Sequence, residues 1–167
     1  MPKVITIVQA RMGSSRLPGK VSREIIDKPM LAHLIDRLKY CQKIDQIVIA
    51  TSNKRTDDRV VEIAKEEGVS FYRGSEENVL SRYIEAGQKY NGDIIVRITG
   101  DCPLIDPITI DEIIKDFIDS SLDYIRQDGY PRGLDTEVFN FNTLEKVANS
   151  ITDSEEEKPY REHVTYY

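Results

Sequence analysis

Short apolar runs alternate along this chain with longer segments in which apolar residues recur at helical spacing. The runs are as long as strands, and their nearly continuous hydrophobicity is typical of strands buried on both faces of a parallel sheet. They lie at 4–8, 47–50 and 94–98. Four helical stripes accompany them, at 31–38, 60–64, 79–90 and 110–117. This order predicts an α/β fold of three layers, with helices on both faces of a mainly parallel, Rossmann-like sheet.

Polar residues and glycines mark the expected helix ends. Ser75 and Thr109 each precede acidic residues, as capping residues do at the positive end of a helix. Asn142 begins an Asn-x-x-Glu pattern that is similar to a capping box. Gly68 and Gly92 lie where two of the stripes should end.

The length of 167 residues suits one domain, which we expect to cover 1–167. From about Asp123 the alternating pattern gives way to two further candidate strands around Tyr124 and Val138, with a turn between them. We therefore interpret 123–167 as a candidate lid or dimerisation segment.

Charge and composition exclude several classes of protein. The net charge of −6 argues against a nucleic-acid binder with a large basic face. No apolar run is long enough to cross a bilayer, and the first residues do not have the pattern of a signal peptide. We expect a cytoplasmic protein without membrane contacts, in which Cys41 and Cys102 are reduced.

The loop after the first strand, Ala10 to Ser22, concentrates positive charge among glycines and serines. Its backbone can approach an anion closely and point several N–H groups at it, while arginine and lysine supply charge. The pattern predicts a polyphosphate cradle, and a solvated basic loop is the alternative. The candidate ligands are Arg11, Gly13, Ser14, Arg16 and Lys20.

This loop is not a P-loop. Five residues separate Gly13 from Gly19, where a P-loop has four, and Val21 replaces the Ser or Thr that would bind Mg²⁺. The three spaced glycines of a dinucleotide-binding fingerprint are also absent from the sequence.

A second polar loop, Thr99 to Pro107, follows the strand at 94–98. In a parallel sheet it lies at the same edge as the first loop, where ligands bind. Asp101 is the candidate ligand for Mg²⁺, which prefers oxygen and needs only one or two carboxylates. The alternative is that Asp101 caps a turn before Pro103.

Arg97 interrupts the apolar run of the same strand. A buried charge needs a partner or a ligand, and we expect Arg97 to pair with Asp101 or Asp128.

Several stretches resemble the acylneuraminate and deoxy-octulosonate cytidylyltransferases, most of all the branch called spore coat polysaccharide biosynthesis protein F. The similar stretches are Gln9 to Lys20, Arg73 to Ser75, Gly100 to Leu104, Arg132 to Glu137 and Arg161 to Thr165. The resemblance implies a nucleotide-diphospho-sugar transferase type of fold. It also implies a homodimer that uses CTP to convert an acidic sugar into a CMP-sugar and pyrophosphate, for surface or spore coat polysaccharide.

The resemblance also assigns roles. Arg11, Lys20 and Asp101 are the expected catalytic residues, and the rest of the first loop joins them in nucleotide binding. Further nucleotide contacts are expected from Ala10, Thr99, Arg73 and Ser75, with Arg73 and Ser75 over the cytosine.

The charged turn at 132–137 carries the expected sugar ligands, which are Arg132, Asp135 and Glu137. An acidic sugar favours Arg132, and a solvated hairpin is the alternative.

The resembling enzymes take a second metal carboxylate from a Val-Asp segment that these 167 residues do not contain. Asp135 and Glu137 are the candidates for its place. A nucleotide-binding but inactive homologue therefore stays open. So does a glycosyltransferase that uses a nucleotide sugar, although Asp101-Cys102-Pro103 lacks its usual Asp-x-Asp pair.

Overall fold

A computed structural model of the protein describes residues 1–14, 16–131, 133–151, 154 and 158–165. The strands are β1 (Val4–Gln9), β2 (Glu24–Ile25), β3 (Lys28–Pro29), β4 (Gln46–Ser52), β5 (Ser70–Gly74), β6 (Ile94–Thr99), β7 (Tyr124–Arg126) and β8 (Glu137–Asn140). The helices are α1 (Met30–Leu38), α2 (Asp58–Glu66), α3 (Val79–Tyr90), α4 (Pro107–Asp119), α5 (Phe141–Ser150) and α6 (Lys158–Glu162).

Six of the strands form one sheet in the order β5-β4-β1-β6-β8-β7. The first four are mutually parallel, while β8 is antiparallel to both β6 and β7. Strand β1 is central, with Thr6 paired to Ile47 on one side and Val96 on the other. The predicted mainly parallel sheet is confirmed, and its carboxyl edge brings together the loops that follow β1, β4 and β6.

Alternate residues of β1 pack into two cores on opposite faces of the sheet. Val4 and Val8 face a core built with α1, α2 and α4. Ile5 and Ile7 face a second core built with α3 and α5. This double burial explains why the strand is continuously apolar, and it confirms the three-layer architecture.

The predicted helix starts are wrong by two or three residues. Asn78, not Ser75, caps α3 by accepting a hydrogen bond from the Ser81 N–H. Asp106, not Thr109, caps α4 in the same way, and Pro107 occupies the first turn because it has no N–H to leave unpaired.

The helix after β8 also begins earlier than predicted. Asn140 occupies the N-cap position, so Asn142 lies in the first turn of α5 rather than capping it. The predicted stop after α2 is confirmed by Gly68, which adopts φ +69°. No helix in the described part of the chain is long and apolar enough to span a membrane.

Candidate functional site

The loops after β1 and β6 touch each other at the carboxyl edge of the sheet. The Gly100 N–H donates to the Gln9 carbonyl at 2.8 Å. A Cβ on Gly100 would lie 2.8 Å from the Ala10 Cβ, so this approach requires glycine. The two predicted loops therefore form one site.

Asp57 anchors the first loop to the neighbouring strand. This residue, only 2% exposed, accepts a hydrogen bond from the Met12 N–H at 2.7 Å. Its other carboxylate oxygen accepts from the hydroxyl of Ser52, at the end of β4. Farther along, Gly19 adopts φ +70° and donates its N–H to the Met12 carbonyl at 2.8 Å, which folds the loop back on itself.

Lys20 and Asp101 form an ion pair across the site. Their side chains are 25% and 39% exposed, so both remain accessible to a ligand. Burial pushes the pKa of Asp101 upward, but the hydrogen bond and charge of Lys20 outweigh burial and lower the pKa below its ordinary value. Asp101 is therefore an ionised oxygen donor at neutral pH.

The other first-loop candidates surround this pair with positive charge. Arg11 and Arg16 are exposed, and neither makes an ion pair with a described residue. The Ser14 hydroxyl accepts from the Leu17 N–H at 3.3 Å, while buried Ala10 donates its N–H to a β4 carbonyl. Gly13 is open enough for a ligand to approach, since a Cβ there would meet only the Glu76 side chain, at 3.5 Å.

Arg73 and Ser75 lie at the end of β5, on the far side of β4 from β1. Arg73 pairs with Asp58 at 2.6 Å and donates to the carbonyls of Ser52 and Lys54. The Ser75 hydroxyl accepts from the Asn78 N–H. Neither side chain lines the cleft beside Asp101.

A cleft of about 980 Å³ opens beside Asp101, between the two loops and the residues after β6. Its lining residues are Arg16, Arg97, Thr99, Asp101, Cys102, Tyr124, Arg126, Tyr130, Gly133, Asp135, Glu137, His163 and Thr165. The structure thus brings Thr99, Asp135 and Glu137 together with the first loop. Arg132 lies outside the described residues.

Arg97 pairs with Glu137, not with Asp101 or Asp128 as predicted. The two residues are direct cross-strand neighbours on β6 and β8. Burial alone would lower the pKa of Arg97, but Tyr83 and Glu137 outweigh it and raise the pKa. The arginine is therefore charged in the wall of the cleft.

The Glu137 carboxylate has further donors. It accepts hydrogen bonds from Tyr124 at 3.2 Å and from Thr165 at 3.1 Å. Burial, together with the charge of Glu137, raises the pKa of Tyr124 to about 12, so this phenol stays protonated and able to donate.

Among the described residues, no group of three or more His, Cys, Asp or Glu is placed to hold a metal ion. Asp101 is the carboxylate that pairs with Lys20, with the Thr99 hydroxyl nearby, while Asp135 and Glu137 lie elsewhere in the lining of the cleft. This oxygen set fits Mg²⁺ that takes its remaining ligands from phosphate and water. Cys41 and Cys102 are both free, as expected.

Sequence reasoning missed Asp57 and Arg82. Asp57 lies just beyond the buried run of β4, a place where carboxyl-edge ligands and anchors are expected. Arg82 interrupts the apolar stripe of α3 between Val79 and Ala86, and a charge on a buried face is a signal of its own.

Comparisons with known proteins give the family of the chain. A profile of the cytidylyltransferase family matches residues 5–167. The spore coat polysaccharide biosynthesis protein SpsF of Bacillus subtilis is 39% identical over 171 residues, which cover 100% of this chain and 70% of that protein. A 3-deoxy-manno-octulosonate cytidylyltransferase of Geobacter metallireducens is 36% identical over 118 residues, or 70% of this chain and 45% of that enzyme.

A solved cytidylyltransferase from Leptospira borgpetersenii superposes with a TM-score of 0.93 at 39% identity. The match covers all of this chain and 71% of that one.

Proposed function

The chain belongs to the cytidylyltransferase family, and on that premise we propose that it transfers CMP from CTP to an acidic sugar, for surface or spore coat polysaccharide. One observation carries the proposal. Lys20 and Asp101 come from two loops in contact at the carboxyl edge of the sheet, and they face each other beside a large cleft. A cation for phosphate and a carboxylate for a metal are the minimum that nucleotidyl transfer requires.

In this proposal the first loop binds the triphosphate. Arg11, Arg16 and Lys20 neutralise phosphate oxygens, and the backbone at Gly13 and Ser14 offers N–H groups. Ala10 and Thr99 contact the nucleoside from the strand ends. Arg73 and Ser75 reach the cytosine only if Arg73 exchanges some of its present contacts for the base.

The acceptor sugar occupies the cleft. Its hydroxyl oxygen attacks the α-phosphorus in line, the bond from that phosphorus to the bridging oxygen breaks, and pyrophosphate leaves. Asp101 would hold Mg²⁺, which when bound neutralises charge on the triphosphate. Asp135, Glu137 and Arg132 are the proposed sugar ligands, and Arg97 adds positive charge for an acidic group.

The segment after Asp123 supplies much of the cleft wall, through Tyr124, Asp135 and Thr165. This placement supports the proposed role of the segment as a lid over the sugar. We propose homodimerisation through the same segment, which sedimentation analysis of the purified protein would test.

A nucleotide panel tests the proposal. Thermal unfolding is followed with CTP, UTP, GTP and ATP, with and without Mg²⁺, and CTP should give the largest rise in Tm. Pyrophosphate release is then assayed with deoxy-octulosonate and sialic-acid-like sugars. Preference for GTP or UTP would refute the assignment of CTP.

Lys20→Ala provides the matched test of the cradle. It should cut pyrophosphate release by at least about 100-fold while the far-UV circular dichroism spectrum is unchanged, because a donor to the transferring phosphates is lost. A variant with the turnover of the wild type would show that the cradle is misassigned.

An inactive nucleotide-binding homologue is the second candidate. It is supported by the finding that no group of three or more His, Cys, Asp or Glu in the described ranges is placed to hold a metal ion. It predicts CTP binding by calorimetry with no pyrophosphate release at saturating Mg²⁺ and sugar.

A further inference from the structure

Arg82 is a buried arginine that makes no ion pair with a described residue. It lies in the first turn of α3 and is only 2% exposed. Its Nε is sealed from solvent and has no hydrogen-bond partner. No ion pair joins Arg82 to any carboxylate of the described chain. A buried guanidinium in this state is costly to the folded protein, so it calls for a ligand.

The surroundings of Arg82 are the end of β5 and charged residues in and near the first loop. The Arg82 Cγ packs so closely on Gly74 that a Cβ on the glycine would lie 2.8 Å away. Burial lowers the pKa of Arg82, and the charge of Arg11 lowers it further, against the opposite influence of Tyr83 and two carboxylates. Arg82 therefore packs against the end of β5, and the charge of Arg11 in the first loop acts on it.

The two carboxylates that attract Arg82 are already engaged. Asp57 accepts from the Met12 N–H and from Ser52. Glu76 forms an ion pair with Lys54. Neither carboxylate can fully neutralise Arg82, so Arg82 and Arg11 together keep an excess of positive charge.

We propose that Arg82 is a buried contact for a phosphate group of the nucleotide, which it binds together with Arg11. The inference rests on the proposed function and adds a ligand that the first loop does not contain. An anion neutralises two guanidinium groups at once, whereas a neutral base does not. Burial of Arg82 is thus unfavourable by itself, and a bound phosphate group offsets that cost.

If Arg82 is a phosphate contact, its removal should raise the Tm of the protein, whereas removal of a structural arginine should lower it. Arg82→Met removes the charge and keeps most of the apolar stem. The ligand-free variant should melt about 2–4 °C above the wild type, because an unpaired buried charge is gone. Arg97→Met is the matched control, and it should melt below the wild type because Glu137 is left buried without its partner.

Binding is measured by calorimetry with pyrophosphate, CTP and cytidine, without metal. Arg82→Met should weaken pyrophosphate and CTP by about 10- to 100-fold, the value of charge-assisted hydrogen bonds, and leave cytidine unchanged. Arg82→Lys, which keeps the charge, should retain part of the affinity for pyrophosphate.

Three results would overturn the inference: an Arg82→Met variant that melts lower or does not fold, unchanged pyrophosphate affinity, or a loss confined to cytidine. Failure of the proposed function shows instead in the wild type, as a preference for a nucleotide other than CTP. Arg82 is then tested in the same way with that nucleotide.

Discussion

Lys20 pairs with Asp101, and this contact affects how the carboxylate binds a metal cation. A divalent ion that arrives alone competes with an ammonium group already in place. The triphosphate offers Lys20 a second set of anionic partners and so frees the carboxylate. Nucleotide and metal should therefore bind with positive cooperativity.

Lys20→Met tests this competition. With Mn²⁺ as the probe and no nucleotide, electron paramagnetic resonance should show the variant binding the ion more tightly than the wild type does. The gain should be about fivefold at most, because a partly exposed ion pair contributes up to about 1 kcal/mol. Lys28→Met, which breaks the pair with Asp36 on another surface, is the control and should leave Mn²⁺ affinity as it is. Equal affinities in wild type and Lys20→Met would contradict the competition.

At the scale of elements, the position of the first loop depends on the turn after β4. Asp57 lies in the 3₁₀ turn Arg55–Asp57 and bonds to both Met12 and Ser52. Asp57 thus holds the first loop against the sheet, although the loop's own sequence is rich in glycine and serine.

Asp57→Ala should lower kcat/KM for CTP at least about tenfold and cost about 1–3 kcal/mol of stability, because buried donors lose their acceptor. Hydrogen exchange should quicken at 11–14 but not within β1. Asp111→Ala is the control. Asp111 also accepts from backbone N–H groups, but they are those of Gln42 and Lys43, between α1 and β4. The Asp111→Ala variant should be less stable than the wild type but should keep its kcat/KM. An equal loss of kcat/KM in both variants would show that general destabilisation, not the anchor, is responsible.

At the scale of the whole molecule, hydrophobic pattern predicted β1, β4 and β6, because these strands are buried on both faces. It did not locate β5, whose residues are mostly half-buried at the sheet edge. Helix starts were misplaced because neighbouring polar residues compete for one capping position, and only the backbone decides between Ser75 and Asn78.

The candidate site also contains some features that the sequence predicts and others that it does not. Contiguous motifs such as the first loop and Asp101 were predictable, since local chemistry and strand order suffice to place them. The partner of Arg97 was not, because it depends on the antiparallel register that sets Glu137 opposite Arg97. Pairing across non-adjacent parts of the chain is invisible to a reading of local pattern.

The ion pair of Arg97 and Glu137 joins the parallel strands of the sheet to the antiparallel strands β8 and β7. The Glu137 carboxylate pairs with Arg97 on β6. It also accepts hydrogen bonds from Tyr124 on the edge strand β7 and from Thr165, which follows α6. The side chains of Arg97 and Glu137 are only 14% and 10% exposed, so the loss of one partner leaves the other as an unpaired charge in the interior. Glu137→Ala should therefore destabilise the protein by about 3–5 kcal/mol in urea unfolding.

The double variant Arg97→Met/Glu137→Leu should regain most of that stability, because it leaves no buried charge. Hydrogen exchange in Glu137→Ala should quicken first at 124–126, whose strand is held through Tyr124, and only later in β1. If the single variant loses less than about 1 kcal/mol, or the double variant is the less stable of the two, the carboxylate does not couple the cleft wall to the sheet. The cleft would then depend on the apolar packing of Val138 and Phe139 alone.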